Sequence, residues 1–271
     1  MISILYTTLL ILILIPVCLV LLLFIAPRPL FAFADKRIQK ALDVKAYNRD
    51  SPYSGKGFLP VHSELSHAQI RVEGTIPADF TGVYLRNGTN TQFESTNSRL
   101  HMFNGSGMLH QIQVSNGVAT YSNTYVKTPA HTIESEQGKE VFSQFGDLAG
   151  GGKASFARII TDLLKKCFGV IPKLDMLENG SSTTAIQYHH GKLYCLQETG
   201  YPFALNTKLD CDQLVLDGSG DWDTFDGKLD NPFTAHPKID PATGDWYTYS
   251  TDLMSGNIHY SILSEGKLRK Q

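Results

Sequence analysis

Charge is missing from one end of this chain. The first 27 residues, MISILYTTLLILILIPVCLVLLLFIAP, carry no ionisable side chain except Tyr6 and Cys18, so all 24 Lys+Arg and 26 Asp+Glu fall within residues 28–271. An excess of either sign is missing too. A formal net charge of −2 excludes the basic footprint of a nucleic-acid-binding protein. Cysteine is scarce. Of the four, Cys18 lies in the apolar segment, and Cys167, Cys195 and Cys211 form an odd set without C-x-x-C spacing, which excludes a disulfide framework and a cysteine zinc site. No two of the nine histidines have H-x-x-x-H spacing, and no G-x-S-x-G, P-loop or G-x-G-x-x-G run occurs. Local motifs of the common kinds therefore name no enzyme class. With 42% hydrophobic, 10% aromatic and 18% charged residues, the composition is that of a chain that folds.

The uncharged segment predicts a membrane anchor over residues 1–27. A helix from Ile2 to Ala26 would be roughly 37 Å long, enough to cross a hydrocarbon core of about 30 Å, with Pro16 kinking it. The alternative is a cleaved signal peptide, for which Ala32-Phe33-Ala34 offers an A-x-A pattern. Against it, the segment lacks a basic start and exceeds the usual apolar stretch of ~7–15 residues. Arg28, Lys36, Arg37 and Lys40 follow the span, so the positive-inside rule predicts a single-pass membrane protein with its folded part on the cytoplasmic side. Sequons at Asn87, Asn104 and Asn179 would stay unused there.

Residues 28–63 read as a linker. From Glu64 the pattern is short strands separated by glycine turns: Arg99–Phe103, Met108–Val114, Val118–Lys127, Ala185–Tyr188, Lys192–Gln197, Phe233–Lys238, Asp245–Thr251 and Ile258–Leu263. Asn116-Gly117 suits a two-residue hairpin. Strand groups recurring every several tens of residues favour propeller blades over a single sandwich. One segment departs from this pattern. In Ala154–Gly169, Phe156, Ile159, Ile160, Leu163, Leu164 and Phe168 recur at helical spacing, which predicts an amphipathic helix. Two placements stand for it: capping the propeller with the apolar face in the core, or lying in a membrane surface.

His189-His190 looks like a metal pair, but adjacent strand residues face opposite ways and Gly191 makes a turn the better reading. His236 is set differently, in the run Pro232-Phe233-Thr234-Ala235-His236-Pro237-Lys238-Ile239-Asp240-Pro241-Ala242-Thr243-Gly244. Three further runs accompany it: Gly82-Val83-Tyr84-Leu85-Arg86-Asn87-Gly88, His101 through His110, and Tyr125-Val126-Lys127-Thr128. Together they resemble the carotenoid oxygenase (carotenoid cleavage dioxygenase) family over about residues 64–263. Phe145-Gly146-Asp147-Leu148 and Tyr188 through Glu198 look closest to its plant epoxycarotenoid-cleaving branch.

The resemblance implies a seven-bladed β-propeller with Fe(II) on its axis, held by four histidines from different blades. Carried over, His236 matches the first iron ligand. Neutral imidazole binds ferrous iron without cancelling its charge. Glu198 matches a glutamate that orients an iron-bound histidine through its far ring N–H. His101 and His110 fall in a motif without ligands and read as structural. The chain departs from the family at Thr89 and Thr91, which stand where many relatives have proline, and at Asn104 and Ser106, where neutral residues replace two turn carboxylates.

No motif resembling a second, third or fourth iron-ligand site follows. The expectation is therefore an all-β fold comprising the first blades of an incomplete seven-bladed propeller over residues 64–271, with an N-terminal transmembrane helix and an inserted amphipathic helix. Such a partial ring would expose strand edges and be prone to aggregate. The implied function is Fe(II)-dependent oxidative cleavage of a carotenoid or apocarotenoid double bond with O₂, with stilbene cleavage also open. The partners would be a membrane and a lipophilic polyene, with no nucleic acid. The alternatives are a truncated, inactive paralogue or incomplete gene product, and a membrane-tethered binding propeller.

Overall fold

The computed structural model describes residues 2–43, 59–93, 103–148, 152–210, 213–251 and 255–270. The chain forms two compact units. One comprises residues 1–51, 96–100 and 141–173, and the other residues 52–95, 101–140 and 174–271.

The second unit is built of three four-stranded antiparallel sheets. The first contains β1 (Leu65–Gln69), β2 (Gly82–Asn90), β3 (Ser106–Ser115) and β4 (Val118–Tyr125), in the spatial order β1-β4-β3-β2. The strand earliest in sequence thus borders β4. The second, β5 (Ala185–His189), β6 (Lys192–Leu196), β7 (Phe203–Asp210) and β8 (Gln213–Trp222), and the third, β9 (Lys238–Ile239), β10 (Trp246–Thr251), β11 (Ile258–Ser264) and β12 (Lys267–Lys270), are simple meanders.

Three hairpins turn through X-Gly pairs in which both residues have positive φ: Asn116-Gly117 (51° and 75°), His190-Gly191 (44° and 85°) and Glu265-Gly266 (50° and 73°). That conformation matches the right-handed twist of the flanking strands. It bears out the Asn116-Gly117 hairpin and the reading of His190-Gly191 as a turn.

Consecutive sheets share cores, as propeller blades do. Strand β6 shows how, because successive side chains leave a strand on opposite faces. Tyr194 and Leu196 enter a cluster with Phe225, Leu229, Phe233, Trp246, Leu263 and Leu268, which couples the second and third sheets. Cys195, between them, packs with Leu109, Val126, Phe203 and Leu205, which couples the second sheet to the first.

Two strand expectations change. Phe233–Lys238 is a loop up to Pro237, and only Lys238 and Ile239 pair. Pro237 has no N–H to give a ladder, and the His236 N–H is taken by Thr234 Oγ1 at 3.0 Å. Of Arg99–Phe103, Phe103 lies in a turn and the other four residues fall outside the described part. His101 falls outside it as well.

The first unit is helical, with α1 (Ile2–Ile25), α2 (Pro27–Asp43), α4 (Phe145–Leu148) and α5 (Gly152–Cys167); α3 (Pro129–Gln137) belongs to the β-rich unit. The expected linker therefore begins as helix α2. Among the described residues no single helix is long and apolar enough to cross a membrane; Leu12–Ile25 and Pro27–Ala41 pass that test only as a pair, bent by 112°.

Helix α5 corrects the expectation of an apolar face turned into a core. Phe156 is 65% exposed and Leu163 52%, with Ile159, Ile160 and Leu164 exposed beside them. The face that is buried carries Ser155, Arg158, Thr161 and Lys165. Its charges are paired inside the unit. Lys165 Nζ lies 2.7 Å from Asp35 Oδ1 on α2 and 3.3 Å from Asp162 Oδ1, and Arg158 lies 3.5 Å from both Asp35 and Asp162. Two buried cations without such partners would be prohibitively costly, so the ion pairs fix which face of α5 meets α2.

Candidate metal centre

His236 sits at the end of the loop joining β8 to β9, residues 223–237. Asp223 Oδ1 accepts the Phe225 N–H at 2.9 Å, and Phe225, Asp226 and Gly227 all take positive φ. The loop then sends Phe225, Leu229, Phe233 and Ala235 into the core shared by the second and third sheets. Thr234 is fully buried, and Pro237 is buried on the other side of His236. Packing on both flanks leaves the imidazole outside: the His236 side chain is 63% exposed.

Glu198 lies just after β6, in the neighbouring sheet, and its side chain is 50% exposed. The structure brings the two residues together, with Glu198 Oε1 3.7 Å from His236 Nε2. That is longer than a hydrogen bond. The carboxylate instead accepts the Ala235 N–H at 3.1 Å, so it ties down the backbone next to the imidazole. A second tie runs parallel to it, from the Phe233 N–H to the Gly200 carbonyl at 3.0 Å.

These ties rest on residues that motif reading passed over. Gln197 is buried and its Oε1 accepts the N–H groups of Ser181 at 2.8 Å and Ser182 at 2.9 Å. A Cβ on Gly200 would lie 2.6 Å from the Leu177 carbonyl oxygen, so only glycine fits there. Tyr194 donates to Asp223 Oδ2 at 3.0 Å, and Lys192 Nζ contacts the same oxygen at 2.9 Å. Hydrogen bonds from Lys192, the Phe225 amide and Tyr194 hold the Asp223 carboxyl below its usual range against the opposing effect of burial. Burial and the Asp223 charge push the Tyr194 phenol far up, so it serves as a donor.

Two other histidines among the described residues have structural roles. His110 on β3 meets the Tyr121 hydroxyl on β4 at 2.6 Å, a bond between strands as expected. His189 is buried against Trp246, with ring centroids 4.7 Å apart, while its Nε2 accepts the Gly266 N–H at 3.3 Å. Its ring is 6.3 Å from that of His190. Among the described residues no group of three His, Cys, Asp or Glu could enclose a metal ion. His236 thus fits one place in a metal's ligand set, as an exposed imidazole on a fixed backbone, and the described residues do not complete that set.

The sequence profile of the retinal pigment epithelial membrane protein family matches residues 58–271. Carotenoid 9,10(9',10')-cleavage dioxygenase 1 of Arabidopsis thaliana is 32% identical over 249 residues, covering 88% of this chain and 44% of the relative. The chloroplastic 9-cis-epoxycarotenoid dioxygenase NCED6 of the same plant is 29% identical over 219 residues, covering 78% and 34% respectively. This chain therefore spans less than half the length of these relatives. Among solved structures, a Synechocystis apocarotenoid oxygenase variant superposes with a TM-score of 0.58 at 26% identity, covering 79% of this chain and 43% of that one. Pseudomonas brassicacearum lignostilbene dioxygenase gives a TM-score of 0.60, covering 81% and 42% at 24% identity, a likeness of fold. With the matched profile running through the three sheets and both candidate site residues, the chain belongs to the carotenoid cleavage dioxygenase family.

Proposed function

We propose that this chain is part of a non-haem Fe(II) dioxygenase that cleaves a double bond of a carotenoid or apocarotenoid into two carbonyl products. The observation that carries the reading is the His236 loop, which presents one imidazole on a rigid edge between two sheets. Iron, when bound, would supply dioxygen activation. Within this chain His236 would be one ligand, and Glu198 would position it by holding the Ala235 amide. The relative rigidity of both backbones suits a ligand that must be placed to a fraction of an ångström.

The substrate class agrees with the helical unit. A polyene dissolves in lipid, and α1 and α5 both turn apolar side chains outward, which supports attachment to a bilayer from which such a molecule could be drawn. The test is iron content together with product analysis in the full-length gene product. His236→Ala is expected to abolish bound iron and cleavage of an added carotenoid, and retention of iron would overturn the ligand assignment. A second reading, a non-catalytic role for these 271 residues by themselves, is favoured by the single imidazole that the described residues place at the site. It predicts that this chain alone binds Fe(II) no more tightly than an isolated histidine does.

A further inference from the structure

The bend between α1 and α2 holds a feature that the dioxygenase reading does not use. A cleft of about 320 Å³ opens there, lined by Ile25, Ala26, Pro27, Arg28, Pro29 and the segment Phe168–Val170 that follows α5. Phe168 fixes this corner. Its ring meets Phe24 edge-on at 5.3 Å and Phe31 at 6.2 Å.

The lining is apolar apart from one charge, the exposed guanidinium of Arg28, and contains no carboxylate. None of the ion pairs among the described residues engages Arg28, whereas Arg158 and Lys165 nearby in the same unit are fully paired. Arg28 also lies in the first turn of α2, where the helix dipole favours an anion; Pro27 and Pro29 carry no backbone N–H, so the guanidinium is the principal donor there. The opposing end of α5 is largely neutralised. Its last carbonyls accept the Phe168 N–H at 2.9 Å, the Gly169 N–H at 3.3 Å and the Val170 N–H at 2.8 Å, with Lys165 and Lys166 in the last turn.

We propose that this cleft binds the anionic phosphodiester headgroup of a membrane lipid. The Arg28 guanidinium forks onto the phosphate, and Ile25, Phe168 and Val170 receive the start of the acyl chains. The site rests on the membrane attachment proposed above and sharpens it, because it selects lipid by charge and sets the depth of the helical bend.

The test uses the whole chain in co-sedimentation with vesicles of phosphatidylcholine alone, or of phosphatidylcholine with phosphatidylglycerol. Anionic lipid is expected to tighten binding. Arg28→Gln is expected to reduce that gain tenfold or more. Lys40→Gln, removing an exposed charge elsewhere on α2, should lose no more than the general share of about fivefold, which corresponds to about 1 kcal/mol per cation at an anionic surface. Val170→Trp, which fills the cleft at constant charge, should lose the gain as Arg28→Gln does. Soluble inorganic phosphate should not compete. Equal losses for Arg28→Gln and Lys40→Gln with Val170→Trp unchanged would overturn the site in favour of diffuse attraction, and competition by inorganic phosphate would overturn the lipid as its ligand. Equally tight binding to both vesicles would sink the cleft while leaving membrane attachment intact. Failure to bind either would remove the attachment reading, and the cleft proposal with it.

Discussion

At the scale of single residues, the candidate metal centre is held by backbone bonds that motif comparison does not see. Gln197 illustrates this. Its buried amide oxygen accepts two N–H groups, from Ser181 and Ser182 ahead of β5, while Gln197 itself directly precedes Glu198. Removing the side chain leaves two amides without an acceptor, each costing about 1–3 kcal/mol. Gln197→Ala is expected to lower the unfolding free energy by about 2–4 kcal/mol in urea titrations of the whole chain. A change within about 0.5 kcal/mol, the range of ordinary surface substitutions, would show that water replaces the lost acceptor. Glu198 is a different case. Half exposed, it holds one amide, so its replacement should matter more for where His236 stands than for whether the unit folds.

Among the elements, α5 separates what sequence carries from what it cannot. The period of Phe156, Ile159, Ile160, Leu163 and Leu164 announces a helix with one apolar face, and the helix is there. Which face turns inward depends on Asp35, more than a hundred residues earlier, whose carboxylate meets Lys165 and Arg158. Periodicity holds no information about that partner. Likewise the turns Asn116-Gly117 and His190-Gly191 were legible because positive φ selects residue types locally. Strands β7 and β8 were not, since Phe203–Asp210 mixes polar and apolar positions and Gln213–Trp222 contains two glycines. Gly220 explains itself only in three dimensions, where a Cβ would meet the Phe203 ring at 2.7 Å. The resemblance gives Glu198 the part of orienting an iron-bound histidine, but its approach to His236 and its bond to the Ala235 amide needed the structure.

The outward face of α5 gives a prediction at the same scale. Phe156→Asp with Leu163→Asp removes apolar surface that is mostly exposed, so folding stability should change by less than about 0.5 kcal/mol. Vesicle binding should fall steeply, because burial of one large side chain contributes about 1.5–3 kcal/mol and a carboxylate resists entry into the acyl region. Lost stability with unchanged vesicle binding would mean that the face is covered by protein.

For the molecule as a whole, the β-rich unit is joined from sheet to sheet by aromatic and aliphatic cores, and three of its histidines are half-buried or buried. His110, His131 and His189 all have pKa values below the ordinary 6.5, in each case chiefly through burial. Arg86 lowers His110 further; for His131, Glu64 opposes the shift and Lys127 adds to it. His189 is lowered also by His190, against the opposing effects of Asp245 and a backbone bond to Gly244. A base whose pKa is depressed by folding binds its proton more readily when unfolded. Its contribution is therefore complete above the unfolded pKa of 6.5 and is lost as pH falls below it. Asp217 and Asp223, whose pKa values lie below the ordinary 3.8, lose their contributions in a separate window, as pH falls through and below that value. The steepest early loss should thus precede the carboxylates. One of the groups that contributes to it, His189, bridges Trp246 and the Gly266 turn at the joint between the second and third sheets. Unfolding free energies from urea titrations between about pH 7.5 and 5.5 should decline, by up to about 1.4 kcal/mol per pH unit for each histidine taking part. His189→Gln should be less stable at neutral pH yet show a shallower decline, because one titrating group has been removed. An equal slope in the variant would show that His189 keeps its proton affinity on folding, and that the joint is indifferent to acid.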